Sequence, residues 1–135
     1  MLETIKKLSL LDGVSGRENA VRDYIINEVS AYADSLETDP LGNLIVFKKG
    51  KNTPKNKVML DAHMDEVGLM ITYINPDGTL EFDRVGGIDK RVMLGKPVTV
   101  GENKIQGVIG VKATHMVPAT EKLNMPTTMY IDIGA

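Results

Sequence analysis

The chain has 135 residues, of which 42% are hydrophobic and 25% charged, the composition of an ordinary globular domain. Its formal net charge of −2 gives no electrostatic reason to expect nucleic acid or an anionic membrane as a partner, and the absence of cysteine excludes disulfides and thiolate metal sites. No apolar run reaches membrane-spanning length and the N-terminus lacks the pattern of a signal peptide, so we expect a cytoplasmic protein.

Two helices are predicted in residues 1–33. Apolar side chains recur at helical spacing before Asp12-Gly13, which should end the first helix, and again in the segment that follows. Ser15 stands three residues before Glu18, the spacing of a capping box, so we expect Ser15 to cap the second helix. The apolar positions are Leu2, Ile5, Leu8 and Leu11 in the first helix, and Val21, Ile25, Val29 and Tyr32 in the second.

Strands are predicted from Leu36 onward. The run DPLGN (39–43) is typical of a turn, and LIVFKK (44–49) of a strand that ends in charge. The lysine-rich run KGKNTPKN (49–56) is interpreted as a solvated loop rather than a nucleic-acid site, because no aromatic residue interleaves the lysines. The short apolar run KVMLDA (57–62) predicts a buried strand.

The chain beyond His63 is predicted to be almost entirely β-structure. VGLMITYI (67–74), NPDG and TLEFD (79–83) have the pattern of a hairpin, and KPVTV (96–100), GENK and KIQGVIGVK (104–112) that of a second one. TTMYIDIGA (127–135) predicts a last strand. Because the composition changes near Val67, we expect two parts, residues 1–66 and 67–135.

One stretch places polar groups where the apolar density is highest. If the end of VMLDAHMDE (58–66) is extended, Asp61, His63 and Asp65 fall on one face, because side chains alternate along a strand. An imidazole flanked by carboxylates suits a metal ligand, since one carboxylate can accept the other ring N–H and fix the tautomer. The short motif alone is weak evidence for a metal site, because a surface turn, or a histidine that is simply hydrogen-bonded by a carboxylate, also explains it.

The longer string LDAHMDEVGLMI (60–71) resembles the metal-binding segment of the M42 family of co-catalytic metallopeptidases. That family includes glutamyl and tetrahedral aminopeptidases, and some members are labelled endoglucanases. The resemblance continues through further motifs in the family's order, over essentially the whole chain: LLDGVSGRE (10–18), DPLGNLIV (39–46), GGIDKRVMLGKPV (86–98), GVIGVKATH (107–115) and MYIDIGA (129–135).

The resemblance implies an α/β zinc-peptidase-like catalytic domain, present in part as residues 1–66. This catalytic domain would be interrupted by an all-β PDZ-like or β-barrel dimerisation domain, of which residues 67–135 are a part. It also implies an enzyme that uses two divalent metal ions, zinc or cobalt, to hydrolyse the N-terminal peptide bonds of peptide substrates. The enzyme would be a homo-oligomer, either a dimer or a dodecamer. His63 would be a metal ligand, and Asp65 a catalytic residue in the sense that it orients that ligand. No role is carried over to Asp61, Glu66 or His115.

The family's remaining metal ligands and its general-base glutamate lie beyond the position that matches Ala135. We therefore expect the isolated chain to be inactive, because zinc typically needs four donors. A non-enzymatic oligomerisation module is the main alternative. Glycoside hydrolysis is a weaker one, because sugar sites favour broad aromatic faces and the chain has no Trp and two Phe. Residues 1–66 should be the less stable part, and the chain should self-associate.

Overall fold

The computed structural model describes residues 1–52, 55–112 and 129–135. The chain divides into two units, Met1–Glu66 and Val67–Ala135. The first unit contains the two helices and a small sheet, and the second consists almost wholly of strands. Within the described residues, neither helix is long or apolar enough to cross a membrane.

The first unit begins with both expected helices, α1 (Leu2–Leu8) and α2 (Asn19–Val29). The predicted capping box is wrong. The helix cap is Glu18 rather than Ser15, and it makes no side-chain cap bond. Gly16 lies between them with φ +84°, a left-handed conformation that keeps Ser15 out of the first helical turn. The Glu18 carboxylate accepts a hydrogen bond from the Gly16 N–H at 2.6 Å instead.

The predicted turn at DPLGN joins two antiparallel strands, β1 (Ser35–Thr38) and β2 (Leu44–Phe47). Asp39 forms the turn, because one of its carboxylate oxygens accepts the backbone N–H groups of Leu41 (2.9 Å) and Asn43 (2.8 Å). These hydrogen bonds hold the pKa of Asp39 below its usual value, the side-chain bond from Asn43 being the largest cause. The strand and turn predictions for this region are confirmed.

The predicted buried strand at KVMLDA is wrong. Residues 57–65 have no regular secondary structure, and the side chains of Val58, Met59 and Leu60 are 87–93% exposed. A strand is stabilised by hydrogen bonds to a neighbouring strand. Among the described residues of segment 57–66, only Glu66 makes a β-bridge, and its partner is Val14.

The second unit is one antiparallel sheet with the strand order β3-β4-β7-β6-β5. Both predicted hairpins and the predicted last strand are confirmed. The strands are β3 (Gly68–Ile74), β4 (Leu80–Val85), β5 (Pro97–Val100), β6 (Ile105–Val111) and β7 (Met129–Asp132), with a 3-10 turn at Lys90–Val92 before β5. Among the described strands, β3 and β5 form the two edges, and no pairing joins them into a closed barrel.

The core of this sheet is aliphatic and centres on β7. Leu80, Met93, Ile109 and Ile131 are buried, and Ile131 is only 1% exposed. Ile131 pairs with Leu80 of β4 on one side and with Ile109 of β6 on the other. β7, the last of these five strands in chain order, therefore lies in the middle of the sheet. In the first unit, by contrast, the only buried hydrophobic side chain among the described residues is Val21.

Candidate functional site

The structure brings His63 and Asp65 together through a local contact. His63 Nδ1 lies 2.9 Å from Asp65 Oδ1 and 3.0 Å from the Asp65 backbone oxygen. Both side chains are accessible, that of His63 at 85% and that of Asp65 at 40% of their surface. The second ring nitrogen, Nε2, makes no hydrogen bond within the described residues. The pair leaves one imidazole nitrogen open to an external ligand.

A third residue, Ser15, completes this cluster, although its sequence pattern predicts a helix cap. Its hydroxyl donates a short hydrogen bond to Asp65 Oδ2, the carboxylate oxygen that His63 does not use. The two residues are fifty positions apart in the chain. The only signal in the sequence was the same Ser-x-x-Glu pattern that suggested a helix cap, and a local pattern does not report a distant partner.

Backbone contacts bring this serine to the site. The Glu66 N–H donates to the Gly13 carbonyl at 2.7 Å, and Val14 forms a parallel bridge with Glu66. Gly13 is buried, and a Cβ at this position would lie 2.9 Å from Val21 Cγ2. A glycine is therefore needed where the loop packs against α2, and that packing places the next residues beside segment 64–66.

The electrostatics of the cluster determine where its protons lie. The Ser15 hydroxyl, and after it the His63 ring, lower the pKa of the Asp65 carboxyl below its usual value. Asp65 is therefore a carboxylate at neutral pH and can only accept hydrogen bonds. It follows that Nδ1 carries the proton on a neutral His63 ring, and that Nε2 carries the lone pair. Metal-ligating histidines typically have this arrangement.

The other polar residues of the motif do not join the cluster. Within the described residues, the Asp61 and Glu66 carboxylates make no hydrogen bond, and Glu66 takes part through its backbone alone. His115 lies outside the described residues. No group of three or more His, Asp or Glu side chains in the described part of the chain could hold a metal ion. These residues supply one open imidazole nitrogen, which is less than the donor set of a zinc site.

Comparison with known proteins identifies the family. The model of the M42 glutamyl aminopeptidase family matches residues 42–135. The chain belongs to the M42 family. The lysyl aminopeptidase of Pyrococcus furiosus is 36% identical over 84% of this chain and 33% of its own length. The glutamyl aminopeptidase of Lactococcus lactis is 32% identical over 89% of this chain and 35% of its own length.

Solved structures of M42-like proteins have the same fold. The TET1 peptidase of Pyrococcus horikoshii is 40% identical and covers 99% of this chain and 40% of its own, with a TM-score of 0.78. A TET aminopeptidase from a marine Thaumarchaeota archaeon is 33% identical, covers 99% of this chain and 38% of its own, and has a TM-score of 0.89. These similarities confirm that the fold combines helices and strands as in M42 peptidases.

The M42 chain spans about two fifths of the length of the curated relatives it matches. The family model and these relatives are named for aminopeptidases, so the family assignment favours neither the glycosidase alternative nor the oligomerisation-module alternative.

Proposed function

We propose that this chain is the N-terminal portion of an aminopeptidase that removes N-terminal residues from peptides with the help of two divalent metal ions. The observation that carries the proposal is the match of the M42 glutamyl aminopeptidase model to residues 42–135. In this proposal residues 1–66 are part of the catalytic domain. Residues 67–135 are part of an inserted PDZ-like β-domain through which subunits dimerise.

The metal-binding part of the proposal rests on the His63 pair. His63 is a ligand of one ion through Nε2, and Asp65 orients the ring by accepting the Nδ1 proton. The 2.9 Å contact and the open second nitrogen support these roles. When bound, zinc or cobalt ions would activate a water molecule and polarise the scissile carbonyl. The chain's own contribution is to hold the imidazole in one tautomer and one orientation.

The isolated 135-residue chain is proposed to be inactive. Its described residues lack a group of three metal-binding side chains, whereas a zinc ion takes about four donors. The functional protein is proposed to be a homo-oligomer, as a dimer or a dodecamer. One similar solved structure is a TET1 dodecamer, and another is a peptidase that assembles into a tetrahedron or a large octahedral shell.

A chimera would test the catalytic proposal directly. The matching segment of the Pyrococcus horikoshii TET1 peptidase, which is 40% identical, is replaced by this chain. The chimera should hydrolyse aminoacyl chromogenic substrates, and His63→Ala should abolish turnover and lower the metal content. Asp65→Asn should cost roughly 10–100-fold in activity, because it removes only the partner that orients the ligand.

The matched control is His115→Ala, which removes the other histidine of the chain and should leave activity near that of the parent chimera. Circular dichroism establishes that each variant is folded before its activity is compared. Full activity and full metal content in the His63→Ala chimera would contradict the assignment.

A further inference from the structure

Removal of the Ser15 side chain should leave intact the backbone contact that brings this residue to Asp65. Segment 13–14 is joined to Glu66 by backbone groups alone, namely the 2.7 Å hydrogen bond to the Gly13 carbonyl and the bridge at Val14. The hydroxyl of Ser15 is therefore an addition to an existing backbone contact. Its effect on Asp65 can be separated from the docking of the loop.

The hydroxyl changes how firmly the Asp65 carboxylate is held. Oδ1 accepts from His63 and Oδ2 accepts from Ser15, so each oxygen has its own donor. With the histidine alone, a carboxylate that is 40% exposed could rotate about χ2, a torsion that is broad for Asp. A second donor on the other oxygen fixes the plane of the carboxylate and keeps Oδ1 directed at the imidazole.

We propose that Ser15 is a positioning residue, which acts on the metal ligand through Asp65: its hydroxyl fixes the carboxylate that keeps the His63 proton on Nδ1. The consequence for catalysis rests on the proposed function, because it matters to the reaction only if Nε2 binds an ion. The effect on the tautomer does not depend on any metal. Because Nδ1 is also 3.0 Å from the Asp65 backbone oxygen, loss of Ser15 should weaken the preference without abolishing it.

The tautomer can be measured on the whole 135-residue chain without metal. Nitrogen-15 NMR at about pH 8, where an ordinary imidazole is neutral, separates the Nδ1–H from the Nε2–H form. The chain has two histidines, so His115 serves as a reference in the same spectrum. Asp65→Ala, which removes the carboxylate entirely, gives the lower limit of the Nδ1–H fraction.

Ser15→Ala should lower the Nδ1–H to Nε2–H ratio of His63 by roughly two- to tenfold, the size expected for the loss of one hydrogen bond. Ser15→Thr, which keeps the hydroxyl, should restore the ratio. The matched control is Ser9→Ala, which also removes one hydroxyl hydrogen bond from the first unit, the 2.9 Å bond to the Ile5 carbonyl, and should leave the ratio unchanged.

Two results would overturn the proposal. One is a Ser15→Ala ratio equal to that of the wild-type chain. The other is a wild-type ratio equal to that of Asp65→Ala, which would mean that the carboxylate does not set the tautomer. The failure of the proposed function is visible separately. If the His63→Ala chimera stays fully active while Ser15→Ala still shifts the tautomer, the ligand role is wrong and the positioning role stands.

Discussion

The substitution Gly107→Ala tests the packing of the five-stranded sheet most sharply. Gly107 is a buried residue of β6, and a Cβ built on it would lie 2.6 Å from Ile131 Cγ2 and 3.1 Å from the Asp132 carbonyl oxygen. Carbon atoms in optimal contact are about 3.5–4.0 Å apart, so the new methyl group would overlap Ile131 by roughly 1 Å.

The sheet has little freedom to relieve this overlap. Ile131 is 1% exposed and contacts the buried cluster of Leu80, Met93 and Ile109, and its branched side chain is stiff about χ1. Its backbone is paired on both sides. Overpacking of this kind costs about 1–3 kcal/mol, a large fraction of the roughly 3–10 kcal/mol expected for a unit of about 70 residues.

Urea unfolding followed by circular dichroism measures the loss, and hydrogen exchange of the β6 and β7 amides assigns it to this unit. With a slope of roughly 1–1.5 kcal/mol per molar urea, the midpoint should fall by about 0.7–3 M. The matched control is Gly87→Ala, because a Cβ there meets nothing within 4 Å and its φ is not left-handed. That variant should be as stable as the wild type, or more stable by up to about 1 kcal/mol.

A second substitution checks the cause. Ile131→Leu removes the Cγ2 methyl group that collides with the new Cβ. The double variant with Gly107→Ala should therefore be more stable than the sum of the two single changes predicts, by about 0.5–3 kcal/mol. If Gly107→Ala is as stable as Gly87→Ala, or if the two changes at positions 107 and 131 simply add, the close-contact argument fails.

Three further outcomes are expected. The purified 135-residue chain should not hydrolyse aminoacyl chromogenic substrates with added zinc or cobalt; metal-dependent turnover that survives removal of contaminating peptidases would contradict this. Sedimentation should show self-association, and hydrogen exchange should show weaker protection of residues 1–66 than of 67–135; a monodisperse monomer with equal protection would refute both. Arg91 lowers the pKa of Asp89, so this carboxylate should stabilise the fold above about pH 4 and cease to do so as the pH falls through its lowered pKa. Urea midpoints of Asp89→Asn and wild type should differ at pH 7 and converge near pH 2; a difference that persists at pH 2 would show that the charge is not the cause.

Sequence patterns predicted the elements whose causes are local. Helical spacing gave α1 and α2, and turn residues such as those at 39–43 and 75–78 placed the hairpins. The contact between His63 and Asp65 was also expected, because the two residues are only two positions apart. The change of composition near Val67 coincides with the division between the two units. Whether His63 binds metal remains a prediction.

The failures concern contacts between distant segments. Val58–Leu60 has the apolar composition of a buried strand, but strand formation depends on a partner that composition cannot identify. Ser15 matched a cap pattern within four residues, yet its hydroxyl bonds to a residue fifty positions away. In both cases a local pattern was correct about the residue's chemical preference and uninformative about which group satisfies it.

The position of β7 has a consequence for synthesis of the protein on the ribosome. Of the five described strands of this sheet, β7, which separates β4 from β6, is translated last. At roughly 5–20 residues per second, the stretch between Val111 and Met129 takes about one to three seconds to make. During that interval the residues of both hairpins have been made and β7 has not, so Leu80 and Ile109 lack Ile131, with which both pair in the finished sheet. The buried cluster of Leu80, Met93, Ile109 and Ile131 therefore cannot be complete before residues 129–132 have been made.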